Sequence, residues 1–479
     1  METRGELGLD SGGFPLSKMS SSKVSKSTRF AIFGAAGLAF CGVLVETSMN
    51  VTFPTLMRQF HTSLNAVQWV TTAYLLAVAA TMVVTAFMQR RLTWRLLVNI
   101  GGGAFVLGGV LCAMSTSLWL LLAGRIIQAV GTGFVMPLVF TQIMRQVPVD
   151  VQGRYTGTAG MLIALAPSLG PTYGGLVTQL ASWRLIFWLT LPVGIVAWLI
   201  TTMHITQPAA PEKRRFPSLQ FILIIVALMA LTWSLNSIGT TGFSFLNFWL
   251  PLLVTVVSLS VWVLVTQRSD QPLIDVDIFK NQMFSRAVSI YFCIQFVQIG
   301  LTFLLPNFTQ LALGKNALMS GLMLLAGSLT SAGLSPLAGR LMDNNGIKQP
   351  ARIGSLILLV ATGCFAVSQL SIPLIVLLFV VFQIGFSLLF NNIMTFGLQQ
   401  LPAHQLGDGN AIFNTLQQYA GSLGTTIMAA LLATGSTLKP HGSSFVQTTA
   451  GTHLALWLGV VVTVVVCAIG FSLKDIAKN

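Results

Sequence analysis

Charge is what this chain has least of. Of its 479 residues only 8% are charged, and just 12 are acidic. A soluble chain carries about 25% charged residues, so a soluble fold of this length is excluded. Cysteine is scarce as well. The five, Cys41, Cys112, Cys293, Cys364 and Cys467, all fall inside apolar runs. None sits in an exposed pair, so neither a disulfide framework nor a metal site is expected. The histidines are few and scattered. Without a His, Asp or Cys constellation at chemical spacing, an enzyme is not expected. The sequence has no G-x-x-x-x-G-K-[ST] loop, which argues against an ATP-driven pump. No cofactor is expected.

Apolar sequence is what the chain has instead: 54% of residues are hydrophobic, in runs of the ~20 residues that cross a bilayer. We count fourteen spans, at 30–53, 66–88, 96–114, 118–144, 156–180, 185–205, 218–238, 245–266, 285–305, 318–341, 353–370, 372–398, 410–435 and 453–473. Only Ser371, Ile372 and Pro373 separate the eleventh from the twelfth. The reading is an all-α polytopic membrane protein with both termini on one side. The net charge is +14, and its distribution sets the orientation. Of the 26 Lys and Arg, 21 fall on the side of the termini. Four (Arg58, Arg184, Lys315 and Lys439) fall on the other, and Arg125 lies inside a span. Basic residues accumulate in cytoplasmic loops, so both termini are expected in the cytoplasm and the protein in the plasma membrane. The positive charge is dispersed over short loops, which argues against a nucleic-acid partner. Residues 1–29, rich in Ser, Gly and Lys, read as a disordered tail.

Glu46 is the one acidic residue inside a span. A carboxylate there costs roughly 2.5–3.5 kcal/mol on insertion scales, and such residues face a bundle interior or cavity and carry protons or ions. Glu46 is therefore the expected proton handle. Asn50, four residues on, shares its helix face. Span 4 holds the lone buried base, Arg125, with Gln128 at i+3. With a rise of 1.5 Å per residue, Glu46 lies ~10 Å and Arg125 ~9 Å below the outer surface. Pairing would lower the cost of both, and protonating Glu46 would release the pair. Span 5 carries Pro167, Gly170, Pro171, Gly174 and Gly175, a hinge or close-packing segment.

These strings also carry a resemblance. GRIIQAVGTG (124–133) resembles the R-x-x-Q-G-x-G signature of the major facilitator superfamily. APSLGPTYGG (166–175) resembles that superfamily's antiporter motif. ETSMNVTFP (46–54) and SWRLIFWLTLPVG (182–194) resemble stretches of its fourteen-span drug–proton antiporters, and GRLMDNNG (339–346) resembles its cytoplasmic loop. The usual first-span Asp of that family aligns with Val45, one position before Glu46. The loop after span 2 has Gln89 where the family has Asp.

The resemblance implies two six-helix bundles, 30–205 and 285–473, joined by 206–284 with spans 7 and 8, and a short tail at 474–479. It implies a midplane substrate site reached by alternating access. Candidate cavity residues are Asn50, Tyr74, Gln128, Tyr291, Gln295, Asn391, Met394 and Tyr419. A cytoplasmic gate is expected at Arg90, Gly339, Asp343 and Gly346. The function implied is proton-coupled multidrug efflux of hydrophobic, in part cationic, drug-like compounds by a monomer in the lipid bilayer. The alternative is a transporter on the same scaffold dedicated to one metabolite, lipid or peptide.

Overall fold

The computed structural model describes residues 24–207, 216–269, 272–402 and 405–474. Most of the expected tails, 1–29 and 474–479, and the basic run at 211–215 lie outside these residues. Among the described residues every element is helical. The first six long helices are α1 Lys26–Met49, α2 Trp69–Arg91, α3 Trp94–Ala113, α4 Leu118–Gln146, α5 Val149–Leu180 and α6 Arg184–His204. Then come α7 Ser218–Ser237 and α8 Leu250–Gln267. The last six are α9 Gln282–Leu311, α10 Ala317–Asn345, α11 Lys348–Val367, α12 Ile372–Gln399, α13 Leu406–Ala433 and α14 Ser444–Phe471. The first helix begins at Lys26, inside the stretch expected to be disordered, because the Ser25 hydroxyl accepts from the Thr28 N–H and caps it. The eleventh and twelfth spans are separate helices, parted by the turn before Ile372.

Among the described residues, thirteen helices are long and apolar enough to cross a membrane. The fourteenth long helix, α13, falls outside that set because it carries Asn414, Thr415, Gln418, Ser422, Thr425 and Thr426, all buried. It packs on α9, α2, α14 and α7, so its polar groups meet protein rather than lipid. With α13 counted beside these thirteen, an even number of long helices places both ends of the series on one face, here termed the termini face; the opposite one is the far face.

In the first half α1 packs on α4, α5 and α6, and α3 on α4 and α6; in the second, α9 packs on α12, α13 and α14, and α11 on α12 and α14. The halves meet along two seams, α5 with α10 and α2 with α13. The α5–α10 seam is lopsided. Near the far face a Cβ on Gly175 would meet the Ala317 carbonyl, and one on Gly321 the Pro171 carbonyl, backbone against backbone. Toward the termini face, Gly157, Gly160, Gly333 and Gly339 would meet nothing within 4 Å. The two helices touch at the far end and splay at the other. The other seam is held near the far face by the buried Thr72 hydroxyl, 3.2 Å from that of Thr425 and 3.1 Å from that of Thr426. The molecule is closed on the far face and parted along α5–α10 toward the termini face.

Helices α7 and α8 pack together, and α7 also touches α2 and α13. It is tied to both halves. The Gln68 amide donates to Asn236, Asn65 donates to the Gly239 carbonyl at 3.0 Å, and the Tyr419 hydroxyl donates to the Leu228 carbonyl at 3.0 Å.

Candidate functional site

The candidate site grows from glycine. Gly124 and Gly131 of α4 lie against the backbone of α3, and Gly133 lies against Thr81 of α2. This close approach buries the α4 polar groups between helices rather than in lipid. Arg125 is 0% exposed. Its Nη1 donates to Gln128 Oε1 at 2.7 Å and its Nε to the Val70 carbonyl at 3.4 Å. Its guanidinium lies 3.7 Å from the centre of the Tyr74 ring, a desolvated cation–π contact. Tyr74 is itself fixed: its hydroxyl lies 2.8 Å from Thr132 Oγ1 and donates to the Gly42 carbonyl at 3.2 Å.

Glu46 approaches from α1, 4% exposed, with Oε2 lacking any hydrogen-bond partner. Arg125 Nη2 also has none. Glu46 stands one turn along α1 from Gly42, whose carbonyl holds the Tyr74 hydroxyl under Arg125, yet no nitrogen–oxygen pair between Glu46 and Arg125 falls within 4.0 Å. The expected ion pair is absent in this conformation. Gln128, Tyr74 and a carbonyl have taken the guanidinium, leaving the carboxyl with an unused oxygen. One turn on, Asn50 Oδ1 accepts from Thr71 Oγ1 at 3.1 Å. Glu46, Asn50, Tyr74, Arg125 and Gln128 thus belong to one cluster inside the first bundle. Tyr74 is a support under Arg125, fully buried, and lines no accessible cavity here.

The second-half candidates do not gather in one place. Tyr291 donates to Gln417 Oε1 at 2.8 Å and ends a run of near-parallel rings, stacked 5.2 Å from Phe390, which stacks 5.1 Å from Phe386. Gln295 is buried one turn further along α9. Asn391 is exposed and donates to Ser335 Oγ at 2.9 Å; Met394 is half-buried. Tyr419 points away from this group, to α7. A cavity of about 30 Å³, room for one water, lies between α2, α4 and α13, with Gln89, Thr141, Asn410 and Asn414 in its wall.

On α5, Pro167 and Pro171 sit inside a helix that continues through both. Gly170 lies under Thr47, Gly174 against the Ser48 backbone and Gly175 against Ala317, so close packing is the visible role of this segment. Among the expected gate residues, Arg90 pairs across the halves with Asp408 at 3.5 Å, not with Asp343. Asp343 is exposed and makes no ion pair among the described residues. Gly339 faces open space, and Gly346 ends α10 with φ of 75°, a conformation glycine tolerates. The Arg90 and Asp408 side chains are 39% and 20% exposed, so the bond is worth less than about 1 kcal/mol. Arg90→Ala is expected to change thermal unfolding by no more than that; a loss above about 2 kcal/mol would contradict a solvated latch.

Sequence reasoning passed over Asn307 and Gln310 of α9, which donate to the Asn50 and Val51 carbonyls at 3.3 and 2.9 Å. Two amides at i and i+3 in an apolar helix were the available signal, one shared by ordinary packing amides.

The family described as Major Facilitator Superfamily matches residues 35–425. A lincomycin resistance protein, LmrB of Bacillus subtilis (strain 168), is 31% identical over 449 residues, 91% of this chain and 94% of that protein. A riboflavin transporter, RibZ of Clostridioides difficile (strain 630), is 25% identical over 417 residues, 85% of this chain and 90% of that one. Among solved structures, a bacterial homolog of the human lysosomal transporter Spinster, inward-facing and unoccupied, has a TM-score of 0.67. It covers 94% of this chain and 97% of that one at 13% identity, a likeness of fold.

Proposed function

The chain belongs to the major facilitator superfamily, a transporter rather than an enzyme, and from that premise we propose that it is a proton-coupled exporter of hydrophobic, drug-like compounds. The observation that carries the reading is the unpartnered carboxyl oxygen of Glu46, buried beside Arg125. A buried acid with a free acceptor and a nearby fixed cation has two states open to it: ionised, facing the guanidinium, or protonated and able to donate. With the termini in the cytoplasm, a proton enters from the far face when that face is open and leaves toward the termini face in the conformation described above. Substrate moves the other way, held near the midplane between the bundles. The resemblance to LmrB supports a drug-like substrate, and the aromatic run ending at Tyr291 supports an apolar one.

A second reading, a transporter dedicated to one metabolite, has its own support in the resemblance to RibZ. One assay separates them. In proteoliposomes with an acid far face, we expect transport of several unrelated apolar compounds, each competing with the others and each stopped by a protonophore. Transport of a single compound favours the second reading. Transport indifferent to the gradient defeats proton coupling.

A further inference from the structure

The end of α1 is left unfinished by its own sequence. In a continuing helix the carbonyl of Asn50 would accept from the N–H four residues on, but that residue is Pro54, which has none. The Val51 carbonyl would be served by Thr55, whose N–H goes instead to Thr52 at 2.9 Å. Two carbonyls are therefore stranded at the tip of the helix that carries Glu46, in a region where Asn50 is 1% and Val51 0% exposed. Buried carbonyls without donors are costly. Their donors come from the opposite bundle: Asn307 Nδ2 at 3.3 Å to Asn50 and Gln310 Nε2 at 2.9 Å to Val51. Asn307 is 0% exposed, also donates to the Phe303 carbonyl at 2.7 Å, and keeps its own Oδ1 without a partner. The ring of Phe53 meets that of Phe303 beside them, 5.6 Å between centres.

We propose that Asn307 and Gln310 latch the far face by capping in trans the helix end that Pro54 leaves open. When the far face parts, these bonds must break and the carbonyls must turn to water. The latch therefore holds only the closed state, and Asn50 places it one turn from Glu46. It is a positioning device for transport: neither amide carries substrate or proton. The inference rests on alternating access, not on the identity of the coupling ion.

The test uses the full chain with its five cysteines replaced, carrying spin labels at Thr62→Cys and Lys315→Cys, far-face loops of the two halves. Distances are read in nanodiscs without substrate or gradient, so proton coupling can fail while the latch stands. Far-face distances of the reference chain should be mostly short. Asn307→Leu and Gln310→Leu should each raise the ratio of long to short distances about two- to tenfold, the value of one hydrogen bond. Pro54→Ala supplies a donor within the chain; it should raise the ratio alone and make Asn307→Leu nearly silent when combined. A purely structural amide would show no such dependence on Pro54. If Asn307→Leu does not fold, Gln310→Leu, half-buried, carries the test. Unchanged distributions in the leucine variants, or an Asn307→Leu effect indifferent to Pro54→Ala, overturn the proposal.

Discussion

Glu46→Gln is expected to abolish uphill transport while leaving downhill exchange of substrate intact. Glutamine keeps the size and hydrogen-bonding ability of a protonated carboxyl but cannot cycle its charge. For one proton exchanged against a neutral substrate, a gradient of one pH unit stores about 1.4 kcal/mol and sustains about tenfold accumulation. In the variant that accumulation should fall to unity, whatever gradient is imposed. Exchange across a membrane with no gradient should persist, because it requires only that the bundle switch faces. Counterflow in proteoliposomes measures the second quantity and gradient-driven uptake the first. A variant still accumulating tenfold would remove Glu46 from the coupling path. Loss of both activities would make Glu46 a switching or packing residue rather than a proton carrier.

Gly321→Leu should shift the far face toward its open state. At this position a Cβ already collides with the Pro171 carbonyl, and a backbone atom in a helix cannot step aside as a flexible side chain can. Overpacking of this kind costs about 1–3 kcal/mol, so the ratio of far-face-open to far-face-closed molecules should rise about 5- to 150-fold. The chain should still fold, since relief comes from parting the two bundles rather than unfolding either. Gly333→Leu supplies the contrast. It lies toward the splayed end of the same helix, where a Cβ meets nothing within 4 Å, and should be accommodated in the present conformation. Spin-label distances across the far face distinguish the two. An unaltered distance distribution in Gly321→Leu would mean that the α5–α10 seam is not where the molecule opens.

Much of this protein could be read from pattern. The spans were legible because lipid demands ~20 apolar residues in a row, whatever the neighbours do. Even α13, which falls outside the apolar set, was visible as the thirteenth run in an otherwise regular series. Glu46 and Arg125 stood out for the complementary reason, that charge is rare where water is absent. Their relation was harder to see. Their place inside helices was legible, but bonding was not, because Gln128, Tyr74 and the Val70 carbonyl compete for the same guanidinium. Tyr419 shows the same limit. Its place on a helix was clear, yet only packing turned its hydroxyl toward α7 rather than toward a central space.

Sequence alone determined where backbone donors and charges run out: the acid in α1, the base in α4, the N–H missing at Pro54, and the glycines that permit close approach. These are local properties, set by covalent chemistry and helix geometry. Tertiary structure decided who answers each deficit. Asn307 and Gln310 stand more than 250 residues from the carbonyls they serve, and Asp408, not Asp343, meets Arg90. A hydrogen bond or ion pair requires two groups within about 3–4 Å, a condition that periodicity along one helix cannot fix for residues on two.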